Sequence, residues 1–238
     1  MTRPPVWVCE LVARFWAVAG AVPPFPRDLR AALAWVDGVR VIEVPNLTLS
    51  RAADALARFG VPFDRAQPDR ALAGCFCGHS GLGLLLYDPL LSPDEVRFTV
   101  AHETAHWLRD YDDPRRKAVK RLGASVLEVL DGRRPPTSDE RFAGVLREVP
   151  IGPFLHTLDR DRFGRVCSEG ARASEGAADR LAFELLAPFE ALRPHLGNEV
   201  AALTSVFGLP EREAARYATA LGCRTVLAKG RSEFGEYR

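Results

Sequence analysis

The strongest constraint on the fold of this 238-residue chain is a helix with a clearly marked start and the pattern H-E-x-x-H in its second half. Ser92 can cap the helix and Glu95 lies three residues later, with a proline between them, which together form a capping box. These signals predict a helix over residues 93–109. Within it, His102 and His106 are four residues apart, so their side chains lie on the same face.

Two imidazoles on one face of a rigid helix can bind a single metal ion, and zinc accepts neutral imidazole nitrogen well. Glu103 follows the first histidine and can take a proton from a water molecule at the open position of the metal. The pattern therefore predicts a zinc site with His102 and His106 as ligands and Glu103 as the catalytic base.

A catalytic zinc site needs a third protein ligand. Glu175 and Asp179 are four residues apart on a predicted helix over residues 174–186, so both carboxylates point the same way. Glu175 can bind the metal while Asp179 accepts the remaining N–H of a ligand histidine and fixes its tautomer. The sequence favours Glu175 as the third ligand.

Three other residues remain candidates for this role: Asp112, Glu169 and His156. The spacing of Asp112 matches that of a metzincin, but such a site needs a glycine at the position of Arg109. It also needs a methionine turn below the metal, and Met1 is the only methionine in the chain. The metzincin arrangement is therefore disfavoured.

The overall composition excludes several classes of protein. The chain is 47% hydrophobic and 26% charged with a net charge of +1, which provides no general attraction to nucleic acid or to an anionic membrane. Residues 6–22 are strongly apolar, but Glu10 and Arg14 interrupt them, which argues against a membrane span or an export signal. We expect an amphipathic helix here and a cytoplasmic protein without membrane partners.

The five cysteines are odd in number and scattered, which is typical of a reduced compartment. Cys75, Cys77 and His79 could form a soft metal site. A second cysteine pair at zinc-ribbon spacing does not occur in the sequence. A β-strand with both cysteines on one face is therefore the favoured interpretation.

Periodicity, caps and turn residues predict an α+β fold with a small antiparallel or mixed sheet packed on the H-E-x-x-H helix and helices elsewhere. The whole chain, residues 1–238, is expected to form one domain. Besides the two helices above, we expect helices over residues 28–35, 48–59, 115–130, 139–149, 199–207 and 211–221, a strand over 39–44, and a hairpin of strands 71–77 and 82–87.

Two sequence stretches resemble the ImmA/IrrE family of zincin-like metallopeptidases. Residues 97–107, R-F-T-V-A-H-E-T-A-H-W, are similar to the family pattern R-F-x-x-A-H-E-x-x-H. Residues 175–188 are similar to E-x-x-A-[ND]-x-F-A-x-x-L-L-x-P, with Leu181 in place of the usual aromatic. Residues 199–222 resemble, more weakly, the helix–turn–helix that ends the family's core.

The resemblance implies a gluzincin-like zincin fold in which His102, His106 and Glu175 bind one zinc ion and Glu103 acts as base. It also implies cleavage of a protein substrate, often a helix–turn–helix repressor that controls stress, phage or mobile-element genes. The chain departs from the family in having an inserted segment of about residues 113–165, which is either a lid or substrate-recognition element or a solvated helical excursion.

The remaining expectations concern the substrate and a rival function. An extended peptide is expected to pair with an exposed sheet edge near residues 82–87. His156 and Tyr111 are candidate stabilisers of the oxyanion. The alternative is a DNA-binding or protein-binding transcriptional regulator that uses the C-terminal helical pair, about residues 198–222, with Arg212 and Arg216 facing phosphate. A hydrolase acting on a non-protein substrate is a further possibility.

Overall fold

The computed structural model describes residues 2–61, 68–146 and 168–222, which form an α+β fold with a small mixed sheet. The strands are β1 (Val39–Glu43), β2 (Gly74–His79) and β3 (Leu82–Tyr87). The helices are α1 (Val6–Ala19), α2 (Leu29–Leu33), α3 (Leu49–Ala57), α4 (Pro93–His106), α5 (Asp113–Leu122), α6 (Val126–Leu130), α7 (Ser138–Leu146), α8 (Glu169–Leu186), α9 (Phe189–Leu192), α10 (Glu199–Ser205) and α11 (Glu211–Ala220). Among these helices, none is both long enough and apolar enough to span a lipid bilayer.

The sheet has the strand order β1-β3-β2, in which β3 pairs in parallel with β1 and antiparallel with β2. Because β3 is the central strand, both of its edges are already paired. The prediction that residues 82–87 offer an exposed edge to a substrate is therefore wrong. β2 is an edge strand of this sheet, and its edge away from β3 is not paired with another of the described strands.

The predicted hairpin is confirmed, with strands that extend closer to the turn than expected. Ser80 and Gly81 connect β2 to β3 and both have positive φ, 48° and 87°. Two-residue turns of this kind match the natural twist of paired strands, so the ladder continues to the pair His79–Leu82. Cys75 and Cys77 lie on one face of β2 and pack in the cluster that contains α3, as the favoured interpretation of the C-x-C pattern predicts.

Helix α4 begins as predicted. The Ser92 N–H and hydroxyl both donate to Glu95 Oε2, at 3.0 and 2.7 Å. It was expected to end near position 109, before a break at residues 110–114. Instead, the α-helix ends at His106 and a π-helical segment (Trp107–Asp112) follows. Helix α5 begins directly after this segment, so the chain remains helical from α4 to α5.

Two glycines of the hairpin explain how the π-helical segment packs. A Cβ atom at Gly83 would lie 2.4 Å from the Trp107 ring, and one at Gly78 would lie 2.4 Å from the Tyr111 ring. Both aromatic side chains are buried at these glycines, 5% and 4% exposed. The wider π-helical turn therefore presents Trp107 and Tyr111 to the sheet.

Helix α8 starts at Glu169, five residues earlier than predicted, because the Ser168 hydroxyl accepts a hydrogen bond from the Ala171 N–H. Its buried face includes Ala178, Leu181 and Leu185, each 0% exposed. Packed against α4 and α1, this face forms the centre of the main hydrophobic core. The two helices that carry the predicted ligands are thus direct neighbours.

The N-terminal helix and the C-terminal pair are also confirmed. Helix α1 buries Val8, Leu11 and Phe15 as an amphipathic helix, and Arg14 on its other side forms ion pairs with Asp112 and Asp113. Helix α11 buries Ala214, Tyr217 and Ala218, so it packs on the body of the protein.

Of the predicted insert, about residues 113–165, the described part comprises α5, α6 and α7, which form a small helical cluster. Arg115 joins α5 to Asp131 at 2.7 Å. The remainder of the insert, from residue 147 onward, lies outside the described residues.

Candidate metal centre

Three predicted ligand side chains meet at the contact between α4 and α8. His102 Nε2 and His106 Nε2 are 3.2 Å apart. Glu175 Oε2 lies 3.4 Å from His102 Nε2, and Glu175 Oε1 lies 3.5 Å from His106 Nε2. In the described part of the chain, these residues are the group of histidine, cysteine and carboxylate side chains that could hold a metal ion.

The other nitrogen of each imidazole faces a carboxylate. His102 Nδ1 lies 3.1 Å from Asp179 Oδ1, and His106 Nδ1 lies 2.8 Å from Asp110 Oδ2. A carboxylate at Nδ1 holds a hydrogen there and leaves the Nε2 lone pair for a cation. Both lone pairs therefore point toward each other and toward the Glu175 carboxylate.

The two Nε2 atoms and the Glu175 carboxylate lie at separations close to those around a tetrahedral ion. Zinc–nitrogen distances of about 2.0–2.1 Å and tetrahedral angles place neighbouring ligand atoms about 3.3–3.4 Å apart. The two Nε2 atoms are 3.2 Å apart, and they lie 3.4 and 3.5 Å from different oxygens of the Glu175 carboxylate. One ligand atom from each residue can be chosen so that all three lie within 4.8 Å of one another. These three side chains would hold a zinc ion and would leave one of its four coordination positions for a further ligand.

The local electrostatics also favour a cation. Burial lowers the pKa of His102, but hydrogen bonds to Asp179 and Glu175 outweigh it and raise the pKa to about 10. Burial also lowers the pKa of His106, but hydrogen bonds to Asp110 and Glu175 outweigh this effect and raise the pKa. Burial raises the pKa of Glu175, yet hydrogen bonds to the two imidazoles hold it well below its usual range. The direction of these pKa shifts favours positive charge between the two imidazoles and the Glu175 carboxylate.

The candidate base lies on the same helix as the imidazoles. Glu103 is 8% exposed, and it is close enough to raise the pKa of both histidines electrostatically. A Cβ atom added at Gly74 would lie 3.1 Å from Glu103 Cγ, so the Glu103 side chain lies close to the start of β2.

The centre opens into a cleft of about 1020 Å³. One wall is formed by residues 70–75, which lead into β2, and the floor by α4 with His102, Glu103 and His106. The first turns of α11, with Pro210 to Glu213 and Arg216, form the opposite wall. The candidate metal ligands therefore lie in a cleft that is also lined by residues 70–75 and by the first turns of α11.

The structure does not bring the other candidates to this centre. Asp112 is turned toward Arg14 and Arg116, at 3.2 and 2.7 Å, and Glu169 is not part of the ligand group. The Tyr111 hydroxyl accepts a hydrogen bond from the Gly81 N–H at 2.8 Å, and Tyr111 is not among the residues that line the cleft, so the structure does not support it as a candidate oxyanion stabiliser. His156 lies outside the described residues.

Three residues of the site were missed in the sequence. Asp110 supports His106, Arg109 bonds to Asp110 at 2.6 Å, and Arg216 forms an ion pair with Asp179. The four-residue spacing of His106 and Asp110 was visible, but the segment was expected to leave the helix there. Nothing in the sequence places Arg216, 37 residues after Asp179, beside it.

No protein-family model matches this chain, and comparison with curated proteins and with solved structures gave no match.

Proposed function

We propose that this protein is a zinc-dependent endopeptidase with a gluzincin-like site and a zincin-like fold related to the ImmA/IrrE metallopeptidases. The observation that carries the proposal is the convergence of His102 Nε2, His106 Nε2 and the Glu175 carboxylate, with each imidazole Nδ1 bonded to a carboxylate. Two imidazoles and one carboxylate are a ligand set typical of catalytic zinc.

A catalytic role is favoured over a structural one because three protein ligands leave one coordination position, which here faces a wide cleft. When bound, zinc supplies a Lewis acid that acidifies water and polarises a carbonyl group. The protein contributes the base: Glu103 accepts the proton of the attacking water and transfers it to the amine that leaves.

The proposed substrate is an extended peptide that adds to β2. The Asp88 N–H donates to Ala73 O at 2.9 Å, and Gly74 pairs with Tyr87 in the antiparallel ladder. Because bonding alternates along such a ladder, Gly74 turns its own N–H and C=O away from β3. A peptide backbone that pairs with Gly74 at the cleft wall would pass above Glu103.

The test of this function is the substitution Glu103→Gln. Glutamine keeps the shape of the side chain but cannot accept the proton, so we expect zinc to remain bound at one ion per chain while peptide hydrolysis falls by about 10²-fold or more. Zinc content and cleavage of fluorescent casein would be measured, with Glu128→Gln, at an exposed ion pair, as the control. Undiminished cleavage by the Glu103→Gln variant would contradict the assignment.

The resemblance to the ImmA/IrrE family supports a helix–turn–helix repressor as the natural substrate. Incubation of the zinc-loaded protein with a repressor encoded beside its gene would test this choice of substrate. A single, defined cleavage of the repressor that is lost with Glu103→Gln is the expected result. An intact repressor, with casein still cleaved, would exclude that repressor as the substrate.

The arrangement of α11 favours this proposal over a DNA-binding regulator. Arg216 forms ion pairs with Asp179 and Glu213, so one of the two arginines expected to face phosphate is directed to the candidate metal centre. Glu211 and Glu213 lie beside Arg212 at the cleft wall and reduce the local positive charge. Tight DNA binding in a low-salt gel-shift assay that persists in chelator would instead favour the regulator.

A further inference from the structure

The π-helical segment lies immediately after the second proposed ligand and contacts both ligand-bearing helices. Asp113 N–H donates to Leu108 O, a bond between residues five apart that defines the π-helical turn. Within this turn, Asp110 reaches back to His106 and Arg109 reaches across to α8. Such local widening of a helix is frequent at functional sites.

Arg109 has partners on both sides of the centre. Its Nε donates to Asp110 Oδ1 at 2.6 Å and its Nη1 donates to the Ser174 carbonyl at 2.5 Å. Its Nη2 donates to the Ser174 hydroxyl. The side chain is 18% exposed, so these bonds are largely shielded from water.

The partners of Arg109 are neighbours of two proposed ligands. Asp110 holds His106 Nδ1, and Ser174 precedes Glu175 in α8. The planar guanidinium group of Arg109 therefore connects Asp110, which orients the His106 imidazole, to the backbone of α8 next to Glu175. Lysine cannot reproduce this geometry, because its ammonium group is a single point of charge.

We propose that Arg109 is a positioning residue that sets the separation of His106 and Glu175 and so tunes the affinity and geometry of the metal centre. This role rests on the proposed function, since it concerns the same ion. It differs from the role of Asp179, which among the proposed ligands bonds to His102, through Nδ1.

The test compares Arg109→Gln and Arg109→Lys with the control Arg116→Gln. Arg116 also pairs with an aspartate on the same helical rod, but it is 55% exposed and its partner is Asp112. Zinc affinity would be measured by competition with a chelating dye, the coordination geometry from the visible spectrum of the cobalt-substituted protein, and folding from the melting temperature of the metal-free protein.

Arg109→Gln is expected to weaken zinc binding by about 10–100-fold and to change the intensity of the cobalt bands. Arg109→Lys keeps the charge and should fall between this variant and the wild type, while Arg116→Gln should match the wild type. If Arg109→Gln does not fold, Arg109→Lys and Ser174→Ala give the same comparison.

A purely structural role for Arg109 would lower the melting temperature of the metal-free protein but leave zinc affinity and the cobalt spectrum unchanged, and this result would overturn the proposal. Failure of the wild-type protein to bind zinc would instead count against the proposed function itself. The two failures are thus distinguishable in one set of measurements.

Discussion

At the residue scale, the central feature is that the proposed ligands whose spacing in the sequence places them on one helical face also lie close together in the structure. His102 and His106 were predicted as a pair because one α-helical turn separates them, and their Nε2 atoms are 3.2 Å apart. Glu103 and Glu175 were predicted from the same motifs. Arg109, Asp110 and Arg216 were not, because their roles depend on side-chain directions that a one-dimensional pattern does not contain.

The absence of a side chain at Gly74 is predicted to be essential for the position of Glu103. In Gly74→Ala, the new Cβ would lie 2.5 Å from Thr99 Cγ2 and 3.0 Å from the Leu86 carbonyl, so β2 must move away from α4. We expect a loss of about 1–3 kcal/mol of unfolding free energy, measured by urea denaturation, and slower peptide hydrolysis.

The matched control for this prediction is Gly170→Ala in α8, where the added Cβ meets no atom within 4 Å. Alanine is a better helix former than glycine, so this variant should be as stable as the wild type or more stable by up to about 1 kcal/mol. A Gly74→Ala variant that unfolds at the same urea concentration as the wild type would show that the contact with α4 is not tight.

At the element scale, most helices and strands follow from local signals, and the differences arise from tertiary packing. The capping box of α4 and the hairpin turn are local, and both are confirmed. The π-helical segment was missed because its cause lies in the sheet, where Gly78 and Gly83 receive the rings of Tyr111 and Trp107. A glycine in a strand signals close approach, but not which residue approaches.

The junction of α8 and α9 contains a buried carboxyl group. Glu184 is 8% exposed and its Oε2 accepts a hydrogen bond from the Phe189 N–H at 3.1 Å. Burial raises the pKa of Glu184 to about 7, and the bonds to Phe189 and Tyr217 only partly oppose it. Between about pH 4.5 and 7 the folded protein therefore binds more protons at this group than the unfolded chain does.

It follows that this carboxyl group makes the protein less stable as the pH rises from about 4.5 to 7, by up to about 3 kcal/mol. Glu184→Gln carries no titrating group, so the fall in unfolding free energy between pH 5 and pH 8 should be smaller in this variant than in the wild type. Urea denaturation at both pH values measures the difference.

Glu128→Gln, at an exposed surface ion pair, is the control for the pH experiment and should retain the wild-type pH dependence. If the unfolding free energy of Glu184→Gln falls between pH 5 and pH 8 by as much as that of the wild type, Glu184 ionises near its ordinary pKa in the folded protein.

At the scale of the whole molecule, the site depends on contacts between segments far apart in the sequence. Helix α8 follows the insert, and its buried residues Leu181 and Leu185 place it against α4 and α1. The sequence predicted both helices and their apolar faces, but not that α11 forms a wall of the cleft. The apolar face of α11 indicates burial without indicating the partner, which explains why a DNA-binding role was an open alternative.

The order of the strands in the sheet also could not be predicted from the sequence. The three strands were predicted from alternation and turns, yet their order β1-β3-β2 was not, since any of the three could be central. The order decides which strand can receive a peptide, and it moves the proposed substrate contact from β3 to β2.

The measurement that tests the central claim most directly is zinc X-ray absorption spectroscopy of the purified, zinc-loaded protein. We predict one zinc ion per chain with two imidazole nitrogens at about 2.0–2.1 Å, oxygen in the remaining positions, and no sulfur. Glu175→Gln should bind zinc more weakly. Sulfur at about 2.3 Å would place the metal at cysteines such as Cys75 and Cys77, and it would contradict the assignment of His102, His106 and Glu175.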